Sequence, residues 1–244
     1  MNTQPLLQPG WLLPGQLLGD MPSNSAAGPI QTGTEIVLGD PGEPASVPTL
    51  LIAVTDDSGS VTTPGGSDPL SNRYSEMAAA FTAVARRGSR RELGAVLHFD
   101  TPCSSDVAPV PLRRWNLSKL KQGLQIPRDG AGSSELLPSL RRAVTLAQRH
   151  GQHEATLVVL SDFFLLDSDV DQALVELAAF PGDVHAVVLG NQLASGSFDD
   201  RITVTHINQD DPPGAVGRAL FAGLVRHRPG SRALDPSLAG ESSS

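Results

Sequence analysis

The sequence contains a single cysteine, Cys103, among its 244 residues. One thiol cannot form a disulfide within the chain, so a disulfide framework is excluded. No second cysteine accompanies Cys103, and we therefore expect an inert thiol rather than a redox or metal-binding group. This cysteine usage fits a protein of a reducing compartment.

Lysine and net positive charge are also scarce. Lys119 and Lys121 are the two lysines among 18 basic residues, and 26 acidic residues give a formal net charge of −8. Proteins that bind nucleic acids need a basic surface to meet the phosphate groups. The acidic balance therefore argues against general nucleic-acid binding, and we attribute the excess of arginine to coding bias.

Long apolar runs are absent as well. The apolar patch at residues 11–13 is interrupted by Pro14 and Gly15, and no basic residue precedes it. Such a patch matches neither a secretory signal peptide nor a membrane span. We therefore expect a cytoplasmic protein that does not bind membranes. The hydrophobic share of 39% is sufficient for one globular core.

The two ends of the chain differ in composition from its middle. Residues 1–47 are dense in proline and glycine, and residues 229–244 have the composition of a disordered tail. Residues 48–228 are predicted to form the folded domain between them. The first segment is interpreted as an arm that is either disordered or wrapped on the domain or on a partner, and its apolar patch favours docking. A short strand is predicted at residues 34–38.

The most informative stretch is Thr49–Ser60, where an apolar, β-branched run ends abruptly in acids and hydroxyls. Its length and composition predict a strand that is buried on both faces, as in a parallel sheet. Ligands of open α/β sheets bind at the carboxyl ends of the strands. Asp56, Ser58 and Ser60 follow the strand at intervals of two residues, so we expect them on one side of an extended segment.

A second apolar run, at residues 155–160, ends in Ser161 and Asp162. An acid thus follows each of two core strands, and carboxylate and hydroxyl oxygens are ligands suited to Mg²⁺, Mn²⁺ or Ca²⁺. The alternative is a polar turn in which the hydroxyls cap a helix and Asp56 is solvated. The agreement between two distant segments favours the metal site.

A third segment has glycines before hydroxyl groups. Gly130 and Gly132 precede Ser133 and Ser134, and an amphipathic helix follows. Either serine could serve as the N-cap of that helix. A role in binding requires instead that one hydroxyl faces the site, and the glycines would let the backbone approach it closely. Both interpretations remain open at this point.

Strands and helices alternate along the predicted domain. This alternation predicts a doubly wound α/β fold with a mostly parallel central sheet flanked by helices. Further strands are predicted at residues 94–99, 107–112, 184–189 and 201–205, and helices at residues 73–87, 115–124, after 134, at 170–180 and at 214–226. Pro109 and Pro111 restrict their strand to an edge. His98 is expected to be a satisfied core histidine.

On these residues the chain resembles the von Willebrand factor type A (vWA) domain. That family carries a metal-ion-dependent adhesion site (MIDAS), written Asp-x-Ser-x-Ser, a later Thr and a later Asp. Asp56-Asp57-Ser58-Gly59-Ser60 matches the first part, and Ser161-Asp162 matches the last. Gly132-Ser133-Ser134-Glu135 replaces the usual Gly-Gly-Thr-Asp, with Ser134 at the threonine position and Ser133 as the fallback.

The sequence departs from the family at three places. Serine replaces the threonine, so the methyl group that fixes its rotamer is missing. Phe163 follows Asp162 where the family has glycine, which predicts a different turn. The loop at residues 61–72 is long for the family. In this respect the chain resembles bacterial intracellular members more than animal adhesion receptors.

The resemblance implies a binding module and not an enzyme. Its metal ligands would be Asp56, Ser58, Ser60, Ser134 and Asp162, and the ion would be Mg²⁺, or Mn²⁺ or Ca²⁺. A glutamate or aspartate of a protein partner would complete the coordination. Intracellular bacterial relatives often work beside AAA+ ATPases of the MoxR type, or in defence and stress complexes, so we expect a partner of that kind.

The rival interpretation is an enzyme. Phosphohydrolases of the haloacid dehalogenase type also place an aspartate after the first strand and use Mg²⁺, but they need a second aspartate two residues later, where this chain has Ser58. A subtilisin-like protease would need a Gly-Thr-Ser nucleophile segment, which the sequence lacks. Both readings are therefore disfavoured.

Overall fold

The computed structural model describes residues 36–68, 72–190 and 198–234. Its strands are β1 (Gly39–Asp40), β2 (Thr49–Thr55), β3 (Glu92–His98), β4 (Val107–Pro111), β5 (Glu154–Ser161), β6 (Asp183–Leu189), β7 (Ile202–Ile207) and β8 (Arg232–Ala233). Its helices are α1 (Gly59–Thr62), α2 (Asn72–Ala85), α3 (Leu117–Gly123), α4 (Leu137–Arg149), α5 (Val170–Ala178) and α6 (Ala215–Val225). None of the helices in these ranges is both long and apolar enough to cross a membrane.

Six strands form the central sheet in the order β4-β3-β2-β5-β6-β7. Strands β2, β3, β5, β6 and β7 run parallel, and β4 pairs antiparallel with β3 at the edge. The edge position of β4 confirms the prediction made from its prolines. The predicted fold class, a mostly parallel sheet flanked by helices, is confirmed.

The side chains of the sheet alternate between two apolar layers. In β2, Leu51 and Ala53 face a layer that contains Met77 of α2 and Leu220 of α6. Residues Leu50, Ile52 and Val54 face the opposite layer, with side chains of α4 and α5. Burial on both faces explains why this strand lacks a polar alternation. The polar residues that follow it are thereby restricted to the carboxyl edge.

A second sheet has two strands, one near each end of the described residues. Strand β1 pairs antiparallel with β8, and Leu38 just before β1 is buried. The strand predicted at residues 34–38 is wrong in its described part, because residues 36–38 are not in a strand and β1 begins at Gly39. Residues 1–35 of the predicted arm and 235–244 of the predicted tail lie outside the described residues.

Candidate metal centre

The two candidate acids meet at the carboxyl edge of the sheet because their strands are parallel neighbours. In the register of β2 and β5, Thr55 lies beside Leu160, and the backbone N–H of Asp56 donates to the Leu160 carbonyl at 2.9 Å. Asp56 therefore lies level with Ser161, the last residue of β5, and Asp162 follows directly after that strand. Two segments more than a hundred residues apart in the sequence supply adjacent carboxylates.

Asp56 is fully buried, and both of its carboxylate oxygens accept hydrogen bonds. Oδ1 accepts from the backbone N–H of Ser58 at 2.8 Å, and Oδ2 accepts from the hydroxyl of Ser161 at 2.6 Å. Ser161 also accepts from the N–H of Phe163 at 2.8 Å. This serine thereby fixes the orientation of Asp56, a role that no local pattern in the sequence indicates.

The hydroxyls of Ser58 and Ser60 lie 3.0 Å apart. The expectation of an extended segment is wrong beyond Ser58, because the chain turns into α1 at Gly59. The helical turn nevertheless brings the two hydroxyls together. Ser58 is buried whereas Ser60 is exposed, so the pair leads from the protein interior to the surface.

Asp162 lies beside Asp56 and faces a pocket. Its side chain is 2% exposed, its Oδ1 accepts from the N–H of Phe164 at 3.0 Å, and it lines a cavity of about 530 Å³ together with Ser60. Burial raises the pKa of the Asp56 carboxyl and repulsion from Asp162 adds to the rise, although bonds from Ser161 and Ser58 oppose it. A cation at this place would relieve the repulsion between the two acids.

The third segment is held over the Asp56 loop by Asp100. Its carboxylate accepts from the N–H groups of Gly132 at 2.9 Å and Ser133 at 3.0 Å. Gly130 approaches Asp100 so closely that a Cβ there would lie 2.5 Å from a carboxylate oxygen, and Gly132 has φ +70°. The close approach that Gly130 permits is therefore to Asp100, and the approach of this backbone to the metal site stays a prediction.

The two serines of this segment have different surroundings. The Ser133 hydroxyl accepts from the N–H of Glu135 at 3.0 Å, so it is used locally. Ser134 is 9% exposed, and among the described residues its hydroxyl has no hydrogen-bond partner. Neither serine caps α4, which corrects that expectation: the helix begins at Leu137, and Asp167 accepts from the N–H groups of Leu136 and Leu137.

Asp57 anchors a buried polar network beneath the candidate ligands. Its carboxylate contacts Arg73 at 2.5 Å, Nδ1 of His98 at 2.7 Å and the hydroxyl of Tyr74. Arg73 also donates to the Asp56 carbonyl at 3.1 Å and to Asp68 at 2.7 Å. No periodic pattern in the sequence indicates these contacts, because they join three separate elements.

His98 is a satisfied core histidine, as predicted. It is fully buried, and its Nε2 lies 2.9 Å from the Gly123 carbonyl. Cys103 also agrees with the expectation of an inert thiol. Burial raises its pKa to about 11, so little thiolate forms at neutral pH.

The oxygen set fits a hard divalent cation. Among the described residues no group of three or more His, Cys, Asp or Glu is arranged to hold a metal, so any cation here would depend on hydroxyl oxygens. The candidate set provides two carboxylates and three hydroxyls, an all-oxygen environment typical of Mg²⁺ or Ca²⁺. The mutual repulsion of the acids agrees with that chemistry, and so does the Ser134 hydroxyl, which has no hydrogen-bond partner within the described ranges.

Comparisons with known proteins give information on the fold of this chain. No protein-family model and no curated protein matches the sequence. A von Willebrand factor type A structure from Catenulispora acidiphila is 12% identical with a TM-score of 0.51, and the match covers 80% of this chain and 51% of that one. The pilus adhesin SpaC from Lactobacillus rhamnosus GG is 10% identical with a TM-score of 0.51, covering 76% and 31%. The chain thus has a vWA-like α/β fold and spans about half or less of these neighbours.

Proposed function

We propose that this chain is a metal-dependent protein-binding module. Asp56, Ser58, Ser60, Ser134 and Asp162 would hold a divalent cation, Mg²⁺ or alternatively Mn²⁺ or Ca²⁺. The bound cation would supply a Lewis-acidic position for a carboxylate of a protein partner. The observation that carries the proposal is the meeting of Asp56 and Asp162, two buried acids from separate segments, beside an open pocket.

Charge arithmetic supports recognition of an acid. The two carboxylates balance a divalent cation, so a partner carboxylate would meet little net repulsion at the site. The bond it forms would be charge-assisted and partly shielded from water, where such bonds are strong. Ser58 and Asp162 are almost fully buried, which supplies that shielding.

We propose binding rather than catalysis for this site. The residue two positions after Asp56 is Ser58, so no second aspartate stands there as the phosphohydrolase chemistry requires. The neighbouring Asp57 is occupied by Arg73, Tyr74 and His98, which leaves it unsuited to proton transfer with a substrate. A phosphatase or peptidase assay on the purified chain should therefore give no turnover above buffer.

The metal can be tested directly by calorimetry and thermal unfolding with Mg²⁺ and Mn²⁺. We expect saturable binding, and stabilisation of about 2.7 kcal/mol at a concentration one hundred times the dissociation constant. Asp56→Ala should abolish both effects. Asp200→Ala, an exposed acid before β7, is the control and should respond as the natural chain does. Equal responses from the natural chain and Asp56→Ala would contradict the assignment of Asp56 to a metal site.

We further propose a cytoplasmic bacterial setting and a partner of the MoxR-type AAA+ ATPase class. The support is the long loop at residues 61–72, by which the sequence resembles bacterial intracellular family members. Affinity capture with the natural chain, with Asp56→Ala, and with EDTA present tests this setting. An ATPase of that class should be retained by the natural chain alone.

A further inference from the structure

Two exposed apolar side chains stand beside the candidate metal centre. Phe164 is 57% exposed and Leu166 is 62% exposed. The backbone N–H of Phe164 donates to the Asp162 carboxylate at 3.0 Å, and that of Leu166 donates to the Ser134 carbonyl at 3.1 Å. The backbone of each exposed residue is thus hydrogen-bonded to a residue that would ligate the cation. Adjacent exposed apolar groups are typical of interaction sites.

The segment that carries this pair is fixed at both ends. Phe163 is buried, with its ring against Phe198 at a centroid distance of 4.9 Å. Its φ of 56° lies in the left-handed region, which costs free energy in a residue other than glycine and is maintained here by burial. At the other end, Asp167 holds the start of α4. The pair is therefore presented in a preorganised conformation, which favours binding.

The cavity that Asp162 lines differs in chemistry from this apolar pair. It extends from Ser60 and Asp162 towards the ends of β6 and β7, where Asp210 and Asp211 line it. The described lining residues include no lysine or arginine. The cavity therefore offers negative charge to a basic group.

We propose that this face binds a segment of a partner protein that presents a basic side chain, a carboxylate and an apolar side chain close together. The carboxylate would lie at the candidate metal centre, the apolar side chain against Phe164 and Leu166, and the basic side chain in the cavity near Asp210. The inference rests on the proposed function and names its partner chemistry. The net charge of −8 also favours a partner whose surroundings are basic.

A peptide library displayed on phage tests the inference with the full chain immobilised in Mg²⁺. Enriched sequences should contain an acid with an apolar residue and a basic residue within a few positions. An enriched peptide, synthesised with a fluorophore, should bind the natural chain in Mg²⁺ and lose binding in EDTA. Its amide analogue at the acid should not bind.

Matched variants separate the apolar contact from the basic one. Leu166→Ser should weaken the labelled peptide about tenfold, since the burial of one leucine is lost. Val175→Ser is its control, because Val175 is also 62% exposed but lies on α5. Asp210→Asn should weaken the peptide about threefold and lower selection for basic residues. Asp200→Asn, an exposed acid at the opposite end of β7, should do neither.

The outcomes distinguish this inference from the proposed function. Metal-dependent peptides that share an acid but no preferred neighbours, with Leu166→Ser equal to Val175→Ser, would overturn the inference and leave the proposed function intact. Peptides that ignore EDTA, or no enrichment over Asp56→Ala, would overturn both. Sedimentation of the free chain tests the alternative that a second copy of the chain occupies this face. A dimer that Phe164→Ser converts to monomer would assign the face to that second copy and overturn the inference.

Discussion

At the scale of single residues, the buried contacts of Asp57 raise the question of how much its ion pair with Arg73 contributes to stability. Asp57 and Arg73 are both buried, and Arg73 joins the Asp56 carbonyl to Asp68 in the loop above. The network thus connects the candidate ligand loop with α2. Removing one member of a buried ion pair leaves the other charge without compensation, which costs more than the pair itself contributes.

We expect Asp57→Asn and Arg73→Met each to lower the free energy of unfolding by about 3–5 kcal/mol. The double variant should lose less than the sum of the two, with a coupling of about 1 kcal/mol or more, because each single change leaves the same contact broken. Urea unfolding of the four proteins measures this cycle. Asp199→Asn, which breaks an exposed pair with Arg201, is the control and should change little. Additive losses would show that the two residues act independently.

A second residue-scale prediction concerns pH. Burial, aided by the charge of Arg226, lowers the pKa of His185 to about 4 from its usual 6.5. The unfolded chain therefore binds more protons between these two values, so stability is lost as pH falls from about 6.5 to 4. His185→Gln should remove a loss on the order of 3 kcal/mol.

Urea unfolding of both proteins at pH 7 and pH 4.5 checks this difference. The same replacement at the exposed His206 provides the control. Parallel pH profiles for the natural chain and His185→Gln would contradict the prediction. The Nε2 of His185 lies 2.8 Å from the Thr205 hydroxyl, so a stability change common to both pH values is expected from that lost bond.

The third residue-scale prediction ranks the two serines. Ser134→Ala should weaken Mg²⁺ binding by about tenfold or more, the scale on which metal sites respond to changes in their immediate surroundings. Ser133→Ala should leave Mg²⁺ binding unchanged and reduce stability by up to about 1 kcal/mol, because only its bond with Glu135 is lost. Calorimetric titration and urea unfolding separate these effects. The reverse ranking would make Ser133 the ligand.

At the scale of elements, the strands of the central sheet could be predicted because they are local signals. The apolar run that predicts β2 coincides with Thr49–Thr55 as observed, and the two prolines of β4 were sufficient to place it at an edge. Helix α5 likewise begins after Asp169, whose side chain accepts from the N–H of Gln172. Each of these features is contained within a few adjacent residues.

Features that depend on distant contacts could not be predicted in the same way. The start of α4 is stabilised by Asp167, which lies about thirty residues further along the chain. A nearby serine was therefore the natural but incorrect choice from sequence. The orientation of Asp56 depends on Ser161 through a contact of the same kind. The ligand types could be proposed from the motif, whereas the groups that hold them required the structure.

The turn after Asp162 shows how packing can override a local preference. The replacement of glycine by Phe163 predicted a different turn, yet the backbone there has φ 56°, a value that glycine adopts at less cost. Phe163 is buried against Phe198 and the apolar layer of α4 and α5. The burial of an aromatic ring offsets the free-energy cost of the backbone conformation. The local sequence does not show which of these two contributions is larger.

At the scale of the whole molecule, the segment before β2 is joined to the segment after α6. Strand β1 pairs with β8, and Arg228 donates to the Pro41 carbonyl at 3.0 Å. The guanidinium of Arg228 also lies 2.8 Å from Glu92, which accepts from the N–H of Ala45 at 3.1 Å. Sequence composition predicted a domain that begins at residue 48, but residues 36–47 carry buried contacts of their own.

The last prediction tests where the folded unit begins by comparing chains that start at Glu35 and at Pro48. The shorter chain loses the burial of Leu38 and Ala45, and Glu92 and Arg228 each lose a hydrogen-bonding partner. We expect it to be less stable by about 2–4 kcal/mol in urea unfolding. Leu38→Ala in the longer chain is the matched variant and should reproduce about half of the loss. Equal midpoints for the two chains would place the boundary at residue 48 and reduce the pairing of β1 with β8 to a surface contact.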